Sequence, residues 1–209
     1  MTAQPILFVT GLGRCGTTMM MTMLDAGGFP VTGPRPSYEA VGHWKPGRFD
    51  FDWLAGRGGQ AVKWIDPTAY PITALTRFLL PCRPTIILME RNAREQARSQ
   101  VKLFAAALLT PTRTAEKAME RSIRRDTPIL RARLGALGTV HRFRFEDVLA
   151  DPVRATMRLA KIVEPFGHSL NAVRARDAVI DRNAACLPHL HMEESILPLL
   201  AEQLERGAA

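Results

Sequence analysis

A glycine-rich turn, Gly11-Leu12-Gly13-Arg14-Cys15-Gly16-Thr17-Thr18, separates two stretches whose hydrophobic periods differ. Before it, Pro5–Thr10 is a continuous apolar and β-branched run, which reads as a buried strand. After it, Met20, Met23, Leu24 and Gly27 recur at helical spacing from Thr17 to Ala26, and Gly27-Gly28 followed by Pro30 closes the element. The methionine-rich stripe reads as core. A strand that feeds straight into a helix aims the first backbone N–H groups at one spot, where the helix dipole is positive. The turn is therefore a candidate anion site. Gly11, Gly13 and Gly16 let the chain curl close to an oxyanion, Arg14 adds a full charge, and Thr17 and Thr18 add hydroxyl donors.

Downstream, strands and helices alternate. Gln60–Ile65 reads as a second strand, Ala69–Leu80 as a helix and Thr85–Met89 as a third, strongly apolar strand. A helix is expected from Ala93 to about Leu109, with Asn92 as N-cap and Glu95 completing a capping box. Another runs from about Thr114 to Leu134, followed by a fourth strand at Val140–Phe145. Asp151-Pro152 then supplies an N-cap and first-turn proline for a helix ending near Phe166-Gly167. The remainder, to Arg206, reads as two helices around an irregular region near Asn183 to His191. From Val31 to Gly59 there is no sustained period beyond a short helix around Phe49 to Ala55, and so long an irregular segment is functional or mobile in a compact domain. Strands alternating with helices imply parallel pairing, hence an α/β fold.

With 46% apolar residues in 209, the chain can bury one sizeable core, and a single domain over residues 1–209 is expected. The net charge of +8 suits a polyanionic small molecule, nucleic acid or an anionic surface alike. Much of it lies on Arg121 to Arg133, a solvated helical face with no nucleic-acid-binding signature beside it, so no nucleic-acid partner is expected. No stretch approaches the roughly 20 apolar residues of a membrane span, and the protein reads as soluble and cytoplasmic. Cys15, Cys82 and Cys186 are scattered and read as reduced thiols. Cys186, His189 and His191 lack a fourth ligand, so no metal is expected.

The turn nearly repeats the nucleotide P-loop, Gly-x-x-x-x-Gly-Lys-Ser/Thr, but Thr17 stands where the phosphate-gripping lysine belongs. A magnesium-bound triphosphate needs that lysine, whereas a phosphosulfate can be held by neutral donors and one cation. The string Gly-Arg-Cys-Gly-Thr-Thr resembles the 5′-phosphosulfate loop of the sulfotransferase family, commonly Arg/Lys-Ser-Gly-Thr-Thr, with Cys15 in the serine position as a small filler. Met89-Glu90-Arg91-Asn92, with Ser99 eight residues after the arginine, resembles the same family's 3′-phosphate site. The stretch from Phe143 to Pro152 is similar to the family's Tyr/Phe-Glu-Asp-Leu-x-x-Asp-Pro segment, in which Glu146 and Asp147 read as structural caps. The family's C-terminal Arg-Lys-Gly motif is missing, with Arg182 as the candidate substitute.

The resemblance implies a P-loop NTPase-like three-layer α/β/α fold with a central parallel sheet of about four to five strands. It also implies transfer of a sulfuryl group from 3′-phosphoadenosine 5′-phosphosulfate (PAPS) to a small-molecule acceptor, without a metal. Gly11, Gly13, Arg14, Cys15, Gly16, Thr17 and Thr18 would line the phosphosulfate, Arg91 and Ser99 the 3′-phosphate. Lys63 matches a strand lysine directed at the reacting group. Many members carry a histidine base two residues further on, but Ile65 stands there. Other branches place a glutamate after the first helix, which Glu39 matches, with Asp66 and His43 in reserve; Arg14, Glu39 and Lys63 are thus the expected catalytic set. A small-molecule or nucleoside kinase and a non-catalytic nucleotide-binding module are the alternatives.

Overall fold

The computed structural model describes residues 5–35, 37–39, 44–45, 48–69, 73, 76–77, 79, 84–106 and 112–180. In chain order these form β1 (Leu7–Gly11), α1 (Thr17–Ala26), a ribbon of β2 (Trp44–Lys45) and β3 (Arg48–Phe49), α2 (Phe51–Ala55) and β4 (Ala61–Ile65). There follow β5 (Thr85–Glu90), α3 (Ala93–Ala106), α4 (Arg113–Gly135), β6 (Thr139–Arg144), α5 (Phe145–Ala150), α6 (Pro152–Val163) and α7 (Ala172–Ile180). Four strands make one sheet in the order β4-β1-β5-β6, and every pairing in it is parallel.

Alternation along the strands divides the core in two. Phe8, Ile86 and Leu88 point to one side and cluster with Leu54 of α2 and Leu130 and Leu134 of α4. Leu7, Val9, Ile87 and Met89 point to the other and meet Met20, Met23 and Leu24 of α1 with Leu159 and Ile162 of α6. A parallel sheet needs both faces covered, and this α/β arrangement is compatible with three layers.

The strand order also creates the crevice. From β1 the chain moves to one side to form β4, then crosses back past β1 to form β5. Connections leaving β1 and β5 therefore diverge, and the region beyond their carboxyl ends is the usual ligand position in open α/β sheets. The glycine-rich turn follows β1, and Arg91 follows β5.

Capping explains most helix limits. Thr112 opens α4 by accepting from the Ala115 N–H at 3.1 Å, and Asp151 opens α6 by accepting from Arg154 at 2.9 Å. Asn92 accepts from the N–H groups of Arg94 and Glu95 as expected. The reciprocal half of that capping box is absent: the Asn92 N–H bonds Glu146 Oε1 at 2.8 Å, while Glu95 pairs with Arg98 at 2.9 Å. Phe145, expected to end a strand, instead begins α5, because Glu146 and Asp147 in the first turn favour the positive end of a helix dipole. The α6 helix ends at Val163, and a 3₁₀ turn then closes at Gly167.

Parts of the helices expected at Ala69–Leu80 and Ala93–Leu109, and everything after Ile180, lie outside the described residues; so do His43, Cys82, Arg182, Cys186, His189 and His191. Among the described residues, no helix is long and apolar enough to cross a membrane. Nor, among them, do three or more His, Cys, Asp or Glu side chains gather as metal ligands would.

Candidate functional site

The turn after β1 is pressed onto its neighbours at both ends. A Cβ on Gly11, where φ is 156°, would lie 2.4 Å from Cys15 Sγ and 2.5 Å from the Met89 carbonyl oxygen. One on Gly16, where φ is 105°, would lie 2.6 Å from a Phe145 ring carbon. Only glycine permits approaches this close. Between them Arg14 adopts φ 66°, a left-handed conformation that costs an ordinary residue about 1–2 kcal/mol. The turn is held there by α3. Gln96, 2% exposed, donates to the carbonyls of Leu12 at 3.1 Å and Gly13 at 2.8 Å, and Gln100 donates to Gly13 at 2.7 Å. Sequence reading missed both glutamines, although Gln96, Ser99 and Gln100 share one face of α3 by helical spacing.

Arg14, Arg91 and Ser99 meet beside this turn. Arg14 Nε donates to Ser99 Oγ at 3.1 Å, and Arg91 Nη1 donates to the Arg14 carbonyl at 3.4 Å. The Arg91 guanidinium lies over the Phe145 ring, 4.5 Å from its centroid, a cation–π contact. Its Nε is buried and has no hydrogen-bond partner among the described residues. Phe145 thus touches both the turn and Arg91, while its neighbour Glu146 holds the Asn92 N–H.

A second group forms around Lys63, whose side chain is 1% exposed. Its ammonium donates to Thr18 Oγ1 at 2.9 Å, to the Ser37 carbonyl at 2.8 Å and to Glu39 Oε1 at 2.9 Å, which engages all its protons. Burial lowers the Lys63 pKa below 10.5 although Glu39 opposes the shift. Since Thr18 Oγ1 accepts from the lysine, its own hydroxyl proton points elsewhere. Glu39 is thereby joined to the turn. Asp66, in a left-handed conformation, bonds the Gly11 carbonyl through its N–H, and its carboxylate accepts from the Thr68 hydroxyl.

Cys15 fills space inside the turn. It is 1% exposed, and burial pushes its thiol up to about 12 against the opposing N–H of Thr17. At pH 8 the thiolate fraction falls about a thousandfold below that of an ordinary thiol. Iodoacetamide should therefore label Cys15 about a thousandfold faster in the urea-unfolded chain than in the native one, read by mass spectrometry of its peptide. Equal rates would show an accessible, ionised sulfur. Thr17 is 5% exposed and opens α1 directly behind Gly16.

No protein-family model matches the chain, and no curated protein does either.

Proposed function

We propose that the chain is a sulfotransferase with a P-loop-like three-layer fold, moving a sulfuryl group from PAPS to a hydroxyl or amine of a small-molecule acceptor. The convergence of Arg14, Arg91 and Ser99 carries the proposal. Pairs separated by 77 and 85 positions in the chain meet at the crevice between β1 and β5, and the sulfotransferase resemblance assigns these same residues to two ends of one ligand. The unpartnered Arg91 Nε fits such a ligand, because a buried donor without an acceptor is destabilising and a phosphate oxygen would satisfy it. The turn itself offers amides and hydroxyls where a P-loop would offer a lysine.

The work of the site is positioning and charge stabilisation. The amides of the turn, with Thr17 and Thr18, would hold the 5′-phosphosulfate, and Arg91 and Ser99 the 3′-phosphate. Ser99 already accepts from Arg14, so its hydroxyl proton is left to donate. PAPS supplies the activated sulfuryl group: the acceptor atom bonds to sulfur as the bond between sulfur and the bridging phosphate oxygen breaks. Lys63 acts through the Thr18 hydroxyl that it orients, and Glu39 takes the acceptor's proton.

Calorimetry with 3′-phosphoadenosine 5′-phosphate in the absence of magnesium tests the assignment. Binding is expected, and Arg91→Ala should weaken it by about 1.5–3 kcal/mol, the worth of a charge-assisted hydrogen bond. Adenosine 5′-phosphate, which lacks the 3′-phosphate, should lose about twofold or less by the same comparison. Equal losses for the two ligands would remove Arg91 from a 3′-phosphate site, and magnesium-dependent ATP binding in place of either would favour a kinase.

A further inference from the structure

Two residues after the glycine-rich turn sit where local preference opposes them. Asp25 lies near the C-terminus of α1, where a carboxylate meets the negative end of the helix dipole. Tyr38 has φ 58°, in the left-handed region that bulky side chains avoid. The two are bonded to each other: Tyr38 Oη donates to Asp25 Oδ2 at 2.8 Å, and Arg35 donates to both Asp25 oxygens at 2.5 Å. Tyr38 is 3% exposed and belongs to the core cluster that includes α1. The chain around it is tightly folded back. Its N–H bonds the Pro34 carbonyl at 2.7 Å, and a Cβ on Gly33 would lie 2.5 Å from the Tyr38 carbonyl carbon.

The next residue is Glu39. Lys63 donates both to the Ser37 carbonyl before Tyr38 and to the Glu39 carboxylate after it. A residue in left-handed conformation, anchored by its ring, therefore stands at the point where the chain turns these two acceptors onto one ammonium. Local rules broken together at one place mark a functional constraint more often than a structural accident.

We propose that Tyr38, fixed by Asp25, is a positioning residue that holds Glu39 on Lys63. Its importance for turnover rests on the assignment of Glu39 as proton acceptor; its effect on Lys63 does not.

Competitive acetylation of the full chain with acetic anhydride reads the second point alone. Lys63 is compared with the exposed Lys102 and Lys161 by peptide mass spectrometry. Tyr38→Phe removes only the hydroxyl and Asp25→Asn only the charge; each should raise Lys63 acetylation about fivefold or more, with Lys102 and Lys161 unchanged, as expected for loss of a hydrogen bond to a charged group. If Tyr38→Phe does not fold, Asp25→Asn reads the same contact. The same variants should lower kcat for conversion of PAPS to 3′-phosphoadenosine 5′-phosphate about tenfold while KM for PAPS moves about twofold or less. A purely structural role would lower the melting temperature and leave Lys63 labelling and the kcat-to-KM split unchanged. Unchanged Lys63 labelling in the folded variants overturns the proposal. Raised labelling in a chain whose parent converts no PAPS upholds the positioning and overturns the sulfotransferase assignment instead.

Discussion

Replacing Glu39 with glutamine should lower PAPS turnover by about 10²–10⁴-fold, the range covered by loss of a general base, and leave PAPS binding within about twofold. Glutamine keeps the shape of glutamate and an oxygen that can accept from Lys63, so the turn at 37–39 retains its bonds. It cannot take up a proton. The pH profile provides an independent check through Lys63. Burial favours the uncharged amine, and the attraction of Glu39 only partly offsets it, so the ammonium is lost below its ordinary value of 10.5. Losing that proton weakens the hold on Thr18, Ser37 and Glu39 together, and kcat should fall on the alkaline side below pH 10.5. Stability responds to Lys63 in the opposite sense. A lysine whose folded pKa is lowered binds its proton more readily when unfolded, so its contribution to folding grows as pH rises through that window. Cys15 opposes this from 9.0 to about 12, where the unfolded chain ionises its thiol first. Melting curves recorded at each pH separate these effects from turnover. A Glu39→Gln chain that retains its rate would exclude the carboxylate as proton acceptor, and an alkaline limb at or above 10.5 would exclude Lys63.

Much of the scaffold was legible because its signals are local. The apolar runs of β4 and β5 lie within one residue of where they were expected and β1 within two, and α1 matches at both ends, since strand period, helix period and glycine closure all act over a few residues. Asn92 was legible as a cap for the same reason. Its missing partner was not: Glu146 lies 54 positions away and reaches Asn92 only after β5 and β6 have paired in parallel. The tight glycine turn between strand and helix could be read from its sequence, but not its attachment to Gln96 and Gln100, which the packing of α3 decides. Lys63 was picked out only by its match to a strand lysine in the sulfotransferase resemblance. Its acceptors were not legible, because the segment from Gly33 onward has no period, and its shape depends on one left-handed tyrosine and a contact back to Asp25. Acceptor specificity has no comparable local code, and the fold does not supply it.

Gly11→Ala should destabilise the protein by about 2–6 kcal/mol, combining about 1–3 for overpacking with about 1–3 for an unfavourable φ. The added methyl would meet the Met89 carbonyl oxygen at 2.5 Å, and that oxygen belongs to a central strand whose backbone cannot move without disturbing its pairing with β6. Cys15 Sγ, at 2.4 Å, is the softer obstacle, but it is buried and has little room to withdraw. Against a typical stability of about 5–15 kcal/mol, such a loss moves the urea midpoint far toward zero. Gly135→Ala is the matched control: it ends α4, a Cβ there meets nothing within 4 Å, and alanine should stabilise the helix by about 0.5–1 kcal/mol. Urea melts of the two variants should therefore shift in opposite directions. If Gly11→Ala melts with the parent, the turn does not press on β5 as described, and the crevice that brings Arg14, Arg91 and Ser99 together loses its floor.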